Sequence, residues 1–164
     1  MFVLQEYQKK RIVTLFDPES DALGAGWNII QSKIAIGSGG LMGKGFTEGT
    51  QSHLGYLPEH HTDFIMSTLA EEFGFLGVMT LFILFAAIII RCLFISLNCF
   101  HNFGRLYVSA TAMTFFFFVF LNSGMVSGIL PVTGDPLPLM SYGGTAVIAT
   151  LAGMGIVMSV HTHR

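Results

Sequence analysis

The sequence predicts an all-α integral membrane protein in which a large irregular outer loop with short interfacial helices leads into three transmembrane helices. Three observations carry that prediction. Only 11% of the 164 residues are charged and 52% are hydrophobic, with a mean hydropathy of +0.64; a soluble domain carries roughly 25% charged residues. The charge is also unevenly divided: residues 1–72 hold 14 of the 18 charged residues, and residues 73–164 hold only Arg91, Arg105, Asp135 and Arg164. The second part contains three uncharged apolar runs long enough for a bilayer, which needs about 20 residues as a helix.

The outer segment, residues 1–72, comes first. Its start, Met1 to Val13, lacks the apolar core and small-residue cleavage site of a signal peptide. Gly24-Ala25-Gly26, Gly37-Ser38-Gly39-Gly40 and Gly43-Lys44-Gly45 separate short apolar patches and read as backbone turns. Between them Trp27, Ile30 and Ile34 fall at i, i+3 and i+7, the face of a short helix whose edge tryptophan suits a membrane interface. Neither GxGxxG after a strand nor GxxxxGK[ST] is present, so the glycines give no phosphate-binding loop. A net charge of −2 without a basic stripe argues against nucleic acid as a partner.

The densest polar stretch runs from Gly49 through Gln51, Ser52 and His53 to Glu59, His60, His61, Thr62 and Asp63, just before a helical pattern of Phe64, Ile65, Leu69 and Phe73. Thr62 is the expected N-cap, which puts Asp63 in the first helical turn at the outer membrane boundary. In the plain reading the Asp63 carboxylate complements the helix N-terminus. In the functional reading it is a general base at an interfacial cleft. Adjacent His60 and His61 point apart on regular backbone and HExxH spacing is absent, so no protein-ligated metal is expected.

The spans follow at about 73–97, 106–126 and 139–160. The first includes Arg91 near its end, where the side chain can reach the interface. The second carries Phe115 to Phe118 and Phe120, read as packing or lipid-facing rings. The third has Ala149, Ala152, Gly153 and Gly155 at spacings that permit close helix contact. Cys92 and Cys99 belong to no metal or disulfide pattern and read as small buried residues. Arg105 in the 98–105 turn, and Arg164 with His161 and His163 at the C-terminus, mark the cytoplasmic ends. The outer segment and the Asn122 to Pro138 loop then share the other side. The loop ends in Pro136-Leu137-Pro138-Leu139 and Ser141-Tyr142-Gly143-Gly144, a broken entry to the last span of the kind tolerated where backbone lines a cavity or is buried in protein.

Three ordered strings together resemble the SEDS family of polytopic membrane proteins: Gly26 to Gly40, with Gln31-Ser32-Lys33-Ile34-Ala35-Ile36-Gly37; Leu57-Pro58-Glu59 to Thr62-Asp63-Phe64; and Pro136-Leu137-Pro138-Leu139 with Ser141-Tyr142-Gly143-Gly144. The wording of the first string, and Gly124-Met125-Val126 with Gly128 to Val132, is closer to the family's elongation member than to its division member. Asp135 departs from the pattern, where the family often has an apolar residue. The resemblance covers the C-terminal part of a fold of about ten transmembrane helices.

It implies a peptidoglycan glycosyltransferase that polymerises lipid II at the outer face of the bacterial inner membrane and works with a class B penicillin-binding transpeptidase and other elongation-complex membrane proteins. Asp63 matches the family's essential carboxylate and becomes the expected base. Lys33 and Lys44 are the expected cations for the undecaprenyl pyrophosphate leaving group. Gln31, Ser32, Gln51, Ser52, Glu59 and His61 are the expected substrate contacts or supports, and Ser141, Tyr142, Gly143 and Gly144 of the matching motif are expected substrate contacts. The cofactor stays open, a divalent cation such as Mg included. A piece with three of about ten helices is expected to be inactive alone. Two other readings remain: a lipid II flippase, disfavoured by spans without Asp, Glu or Lys, and a non-catalytic scaffold for the transpeptidase.

Overall fold

The structure, a computed structural model, describes residues 11, 13–15, 17, 24–50 and 62–162. Among the described residues four helices of fifteen residues or more follow in order: α1, Ala25–Gly39; α2, Ile65–Leu97; α3, Asn102–Val126; and α4, Gly144–Thr162. Among the described residues there is no strand. The last three helices are each long and apolar enough to cross a membrane. α3 packs along α2, α4 leans mainly on α3, and α1 lies against α2.

α1 buries a different face from the one its large apolar residues suggest. Ile29, Ser32 and Ala35 are sealed inside, whereas Trp27 and Ile34 are exposed. Small residues explain the choice, because they let the helix approach α2 closely: a Cβ on Gly39 would collide with the carbonyl of Ala70. Ser32 donates its hydroxyl to the Val126 carbonyl at 2.8 Å, satisfying a backbone acceptor in the last turn of α3.

α2 is two helices joined at Gly74, whose φ of 66° and ψ of −162° are open in practice only to glycine. An unbroken helix would bond the N–H groups of Phe75 and Leu76 to the carbonyls of Glu71 and Glu72. Here all four groups turn to the loop after α1. Lys44 and Gly45 donate to Glu71 and Glu72, each at 3.0 Å, while Phe75 and Leu76 donate to Gly40 and Leu41 at 2.9 and 3.2 Å. The break therefore leaves none of these four main-chain groups unpaired. The expected span beginning at residue 73 corresponds to the part of α2 beyond this kink, about 35 Å long from Gly74 to Leu97 at the α-helical rise.

α3 ends in a Schellman motif. Gly128 takes φ 69° and donates to Met125 at 3.0 Å, and Ile129 donates to Gly124 at 2.9 Å. Residues 131–137 are irregular, and the last helix starts at Gly144 rather than at the expected Leu139. Pro138 and the Leu137–Ser141 turn occupy the interval, with Ser141 donating its N–H to Leu137 at 3.0 Å.

Two clusters hold the bundle. Phe85, Phe115, Val119, Met125 and Leu137 pack with Phe64 toward one end, where Phe85 and Phe115 meet edge to face at 5.6 Å. Cys92, Ile95, Val108 and Val157 pack toward the other. At that second end the 98–105 turn meets the end of α4, since a Cβ on Gly104 would lie 3.0 Å from both Cys99 and Val160. The Asp63 turn and the 131–137 loop gather at the first end.

Candidate functional site

Asp63 lies in the turn immediately before α2, not inside its first turn. The helix begins at Ile65 and the capping position is Phe64, so the expected N-cap role of Thr62 is not realised. The Thr62 carbonyl instead accepts a hydrogen bond from Ser141 Oγ at 2.6 Å, which draws the turn toward the start of the last span. The Asp63 carbonyl accepts one from Asn122 Nδ2 at 2.9 Å. Asp63 is half-buried, and its Oδ2 lies against the 131–137 loop, where a Cβ on Gly134 would stand 3.4 Å away. The loop is tied down in turn by Asn122 Nδ2 to the Asp135 carbonyl at 2.9 Å and by Arg11 Nη1 to the Val132 carbonyl at 2.8 Å.

The two lysines have different surroundings. Lys44 Nζ sits 2.7 Å from Oε1 of the wholly buried Glu71 and 2.8 Å from Thr50 Oγ1, and the Thr50 N–H also reaches Glu71 at 2.8 Å. Lys33 is exposed on α1, with its side chain passing over the Gly128 turn; a Cβ there would strike the lysine's Cε. Gly128 thus both ends α3 and clears a path for Lys33.

Of the remaining expected contacts, Gln31 is buried at 8% exposure and Ser32 is wholly buried, with its hydroxyl engaged by Val126. Ser141 is also buried, and its oxygen serves both Thr62 and the N–H of Leu137. Tyr142 is exposed and, with Ile65, Met140 and Ser141, lines an open cleft of about 540 Å³. Gly144 begins α4, and Gly143 precedes it. Gln51, Ser52, Glu59 and His61 lie outside the described residues. Among the described residues no three His, Cys, Asp or Glu side chains converge on a point suited to a metal ion.

Asn122 and Glu71 are the residues the sequence did not single out for roles here. A lone amide at the end of the second apolar run is the signal that could have marked Asn122, since polar groups at membrane depth are retained for a purpose. Glu71 reads in sequence as the end of the charged segment; only the return of the 40–45 loop buries it.

The whole chain, residues 1–164, matches the FtsW/RodA/SpoVE family model, described as a cell cycle protein. It is 57% identical over 163 residues to peptidoglycan glycosyltransferase MrdB of Escherichia coli strain K12, covering 99% of this chain and 44% of that protein. It is 43% identical over 162 residues to peptidoglycan glycosyltransferase RodA of Treponema pallidum, covering 99% and 37%. The chain thus spans less than half the length of these relatives. Its fold is similar to a chain of a peptidoglycan synthase complex described as coordinating polymerization and crosslinking, with TM-score 0.74 and 40% identity over 98% of this chain and 43% of that one. The rod shape determining protein RodA of Thermus thermophilus aligns with TM-score 0.62 and 30% identity, over 99% and 58%.

Proposed function

The chain belongs to the FtsW/RodA/SpoVE family of cell cycle proteins, and from that premise we propose that it forms part of a peptidoglycan glycosyltransferase that polymerises lipid II for cell elongation. The observation that carries the reading is Asp63: a carboxylate at one end of a membrane bundle, in a turn held by buried side chains and lying against an irregular loop. In this role Asp63 takes the proton from the acceptor sugar hydroxyl as its oxygen attacks the anomeric carbon of the lipid-linked donor. The bond from that carbon to the undecaprenyl pyrophosphate breaks, and the diphosphate leaves with the electron pair.

A cation must meet the charge that develops on the leaving group. Lys33 is the better candidate, because the Lys44 ammonium already neutralises the buried Glu71 carboxylate. Exposed Tyr142 is the candidate for a contact at the cleft mouth. The end of the bundle bearing Asp63 faces outward across the bacterial inner membrane in this reading. A class B penicillin-binding transpeptidase is the proposed partner, supported by the likeness to a synthase that couples polymerization with crosslinking.

The test is Asp63→Asn in the complete gene product, assayed with its transpeptidase partner on labelled lipid II. Loss of glycan chains with unchanged partner binding is expected, and it also excludes a pure scaffold. Normal chain formation overturns the assignment of the base.

A further inference from the structure

Two buried side chains from distant parts of the sequence grip the main chain on either side of the Asp63 Cα. Asn122 is wholly buried, and its Nδ2 donates to the carbonyls of Asp63 and Asp135, each at 2.9 Å. Ser141, only 4% exposed, donates to the Thr62 carbonyl at 2.6 Å and accepts from the Leu137 N–H at 2.7 Å. The Thr62 carbonyl belongs to the peptide plane entering Asp63, and the Asp63 carbonyl to the plane leaving it. Both planes are pinned, and the aspartate keeps little freedom beyond its own side-chain torsions.

Each clamp also holds the 134–137 segment, Asn122 through the Asp135 carbonyl and Ser141 through the Leu137 N–H. The Asp63 carboxylate rests against that same segment at Gly134, whose φ is 77°. The chemistry of the two side chains suits the task. Among uncharged side chains, an amide nitrogen supplies two N–H donors diverging in one plane, and a hydroxyl both donates and accepts. Asn122 Oδ1 has no hydrogen-bond partner among the described residues, and a buried oxygen without one is costly; the two donors are what the described surroundings use from asparagine.

We infer that Asn122 and Ser141 are positioning residues for Asp63, fixing the carboxylate relative to the loop across which the acceptor sugar must approach. The inference rests on the reading of Asp63 as the base. It also moves Ser141 from the expected substrate contacts to the support beneath the base. A displacement of about 1 Å at a reacting group can cost on the order of a hundredfold in rate, so a loosened turn is felt in turnover rather than in binding.

The test uses the complete gene product, with lipid II as substrate and rates taken per folded molecule. Asn122→Leu and Ser141→Ala should each lower kcat about tenfold or more and leave KM within about twofold. Ser141→Thr keeps the hydroxyl and should recover most of the loss. A second measurement is independent of activity: with Cys92 and Cys99 replaced by alanine, the rate at which Asp63→Cys reacts with a methanethiosulfonate reagent should change severalfold when either clamp substitution is added.

A KM increase with kcat unchanged would overturn the inference and return Ser141 to the substrate contacts. Unchanged labelling in both clamp variants would overturn it as well. If Asn122→Leu does not fold, Ser141→Ala with its threonine rescue decides. Normal polymerisation by Asp63→Asn, together with altered labelling in the clamp variants, would instead remove the base reading and leave a clamp that positions the turn.

Discussion

Lys44 and Glu71 are joined twice, ammonium to carboxylate at 2.7 Å and main-chain N–H to main-chain carbonyl at 3.0 Å. The second bond belongs to the exchange at Gly74, in which the loop after α1 supplies the partners that a straight α2 would find within itself. The first keeps a fully buried carboxylate neutralised beside that exchange. Together they fasten the loop after α1 to the first membrane helix beside the kink beyond which that helix carries no charge until Arg91.

Gly74→Ala should destabilise the complete gene product by at least about 1–3 kcal/mol from backbone conformation alone. The added methyl also meets the main chain of Gly43 and Leu41. Gly37→Ala is the control: among the described residues its Cβ would meet nothing within 4 Å on an exposed helical face, and the change should be neutral or stabilising by about 0.5–1 kcal/mol. Thermal unfolding in detergent separates the two.

Lys44→Ala removes the ammonium 2.7 Å from the buried Glu71 carboxylate and should cost about 3 kcal/mol. Adding Glu71→Gln removes the charge that the ammonium faces, and the double variant should recover part of that loss. Equal stability of the parent and the Lys44→Ala protein in chemical denaturation would refute the pairing.

Ser32→Ala removes the hydroxyl that satisfies the Val126 carbonyl and should cost about 1–3 kcal/mol. Because that hydroxyl is turned inward and occupied, KM for the lipid-linked substrate should stay within about twofold of the parent. A large rise in KM at unchanged stability would reassign Ser32 to the substrate.

Phe85→Ala opens the core beneath the site, where the ring packs edge-on to Phe115, and should cost about 3–5 kcal/mol. Phe116→Ala, only one position along from Phe115 but turned outward and stacked on Phe120, should change stability by about 0.5 kcal/mol. Unfolding midpoints of the two variants, measured without a partner, distinguish packing rings from outward ones in the phenylalanine run.

The helical class and three membrane-length helices were legible because charge and apolar length are local signals. The proposal for Asp63 comes from its neighbours in sequence, and the irregular entry to the last span was legible through Pro136, Pro138 and the glycines after Tyr142. The parts that were not legible depend on long-range contacts. Thr62 looks like a cap, but the return of Ser141 claims its carbonyl. Trp27, Ile30 and Ile34 form the most apolar stripe of α1, yet closeness to α2 selects the smaller residues. The break at Gly74 was hidden because the loop that makes it tolerable lies some 30 residues earlier, and Asn122 was hidden because both carbonyls it serves are remote.

The exchange of hydrogen bonds at Gly74 uses main-chain groups alone, while Leu41 and Met42 point outward at 71% and 81% exposure. Side chains there can drift without disturbing the joint. Chain length cannot. Gly40 and Leu41 accept on one side of Gly43 and Lys44 and Gly45 donate on the other, so inserting or deleting a single residue between them would put one pair of bonds out of step with the other. The stretch from Gly40 to Gly45 is fixed in count far more than in composition.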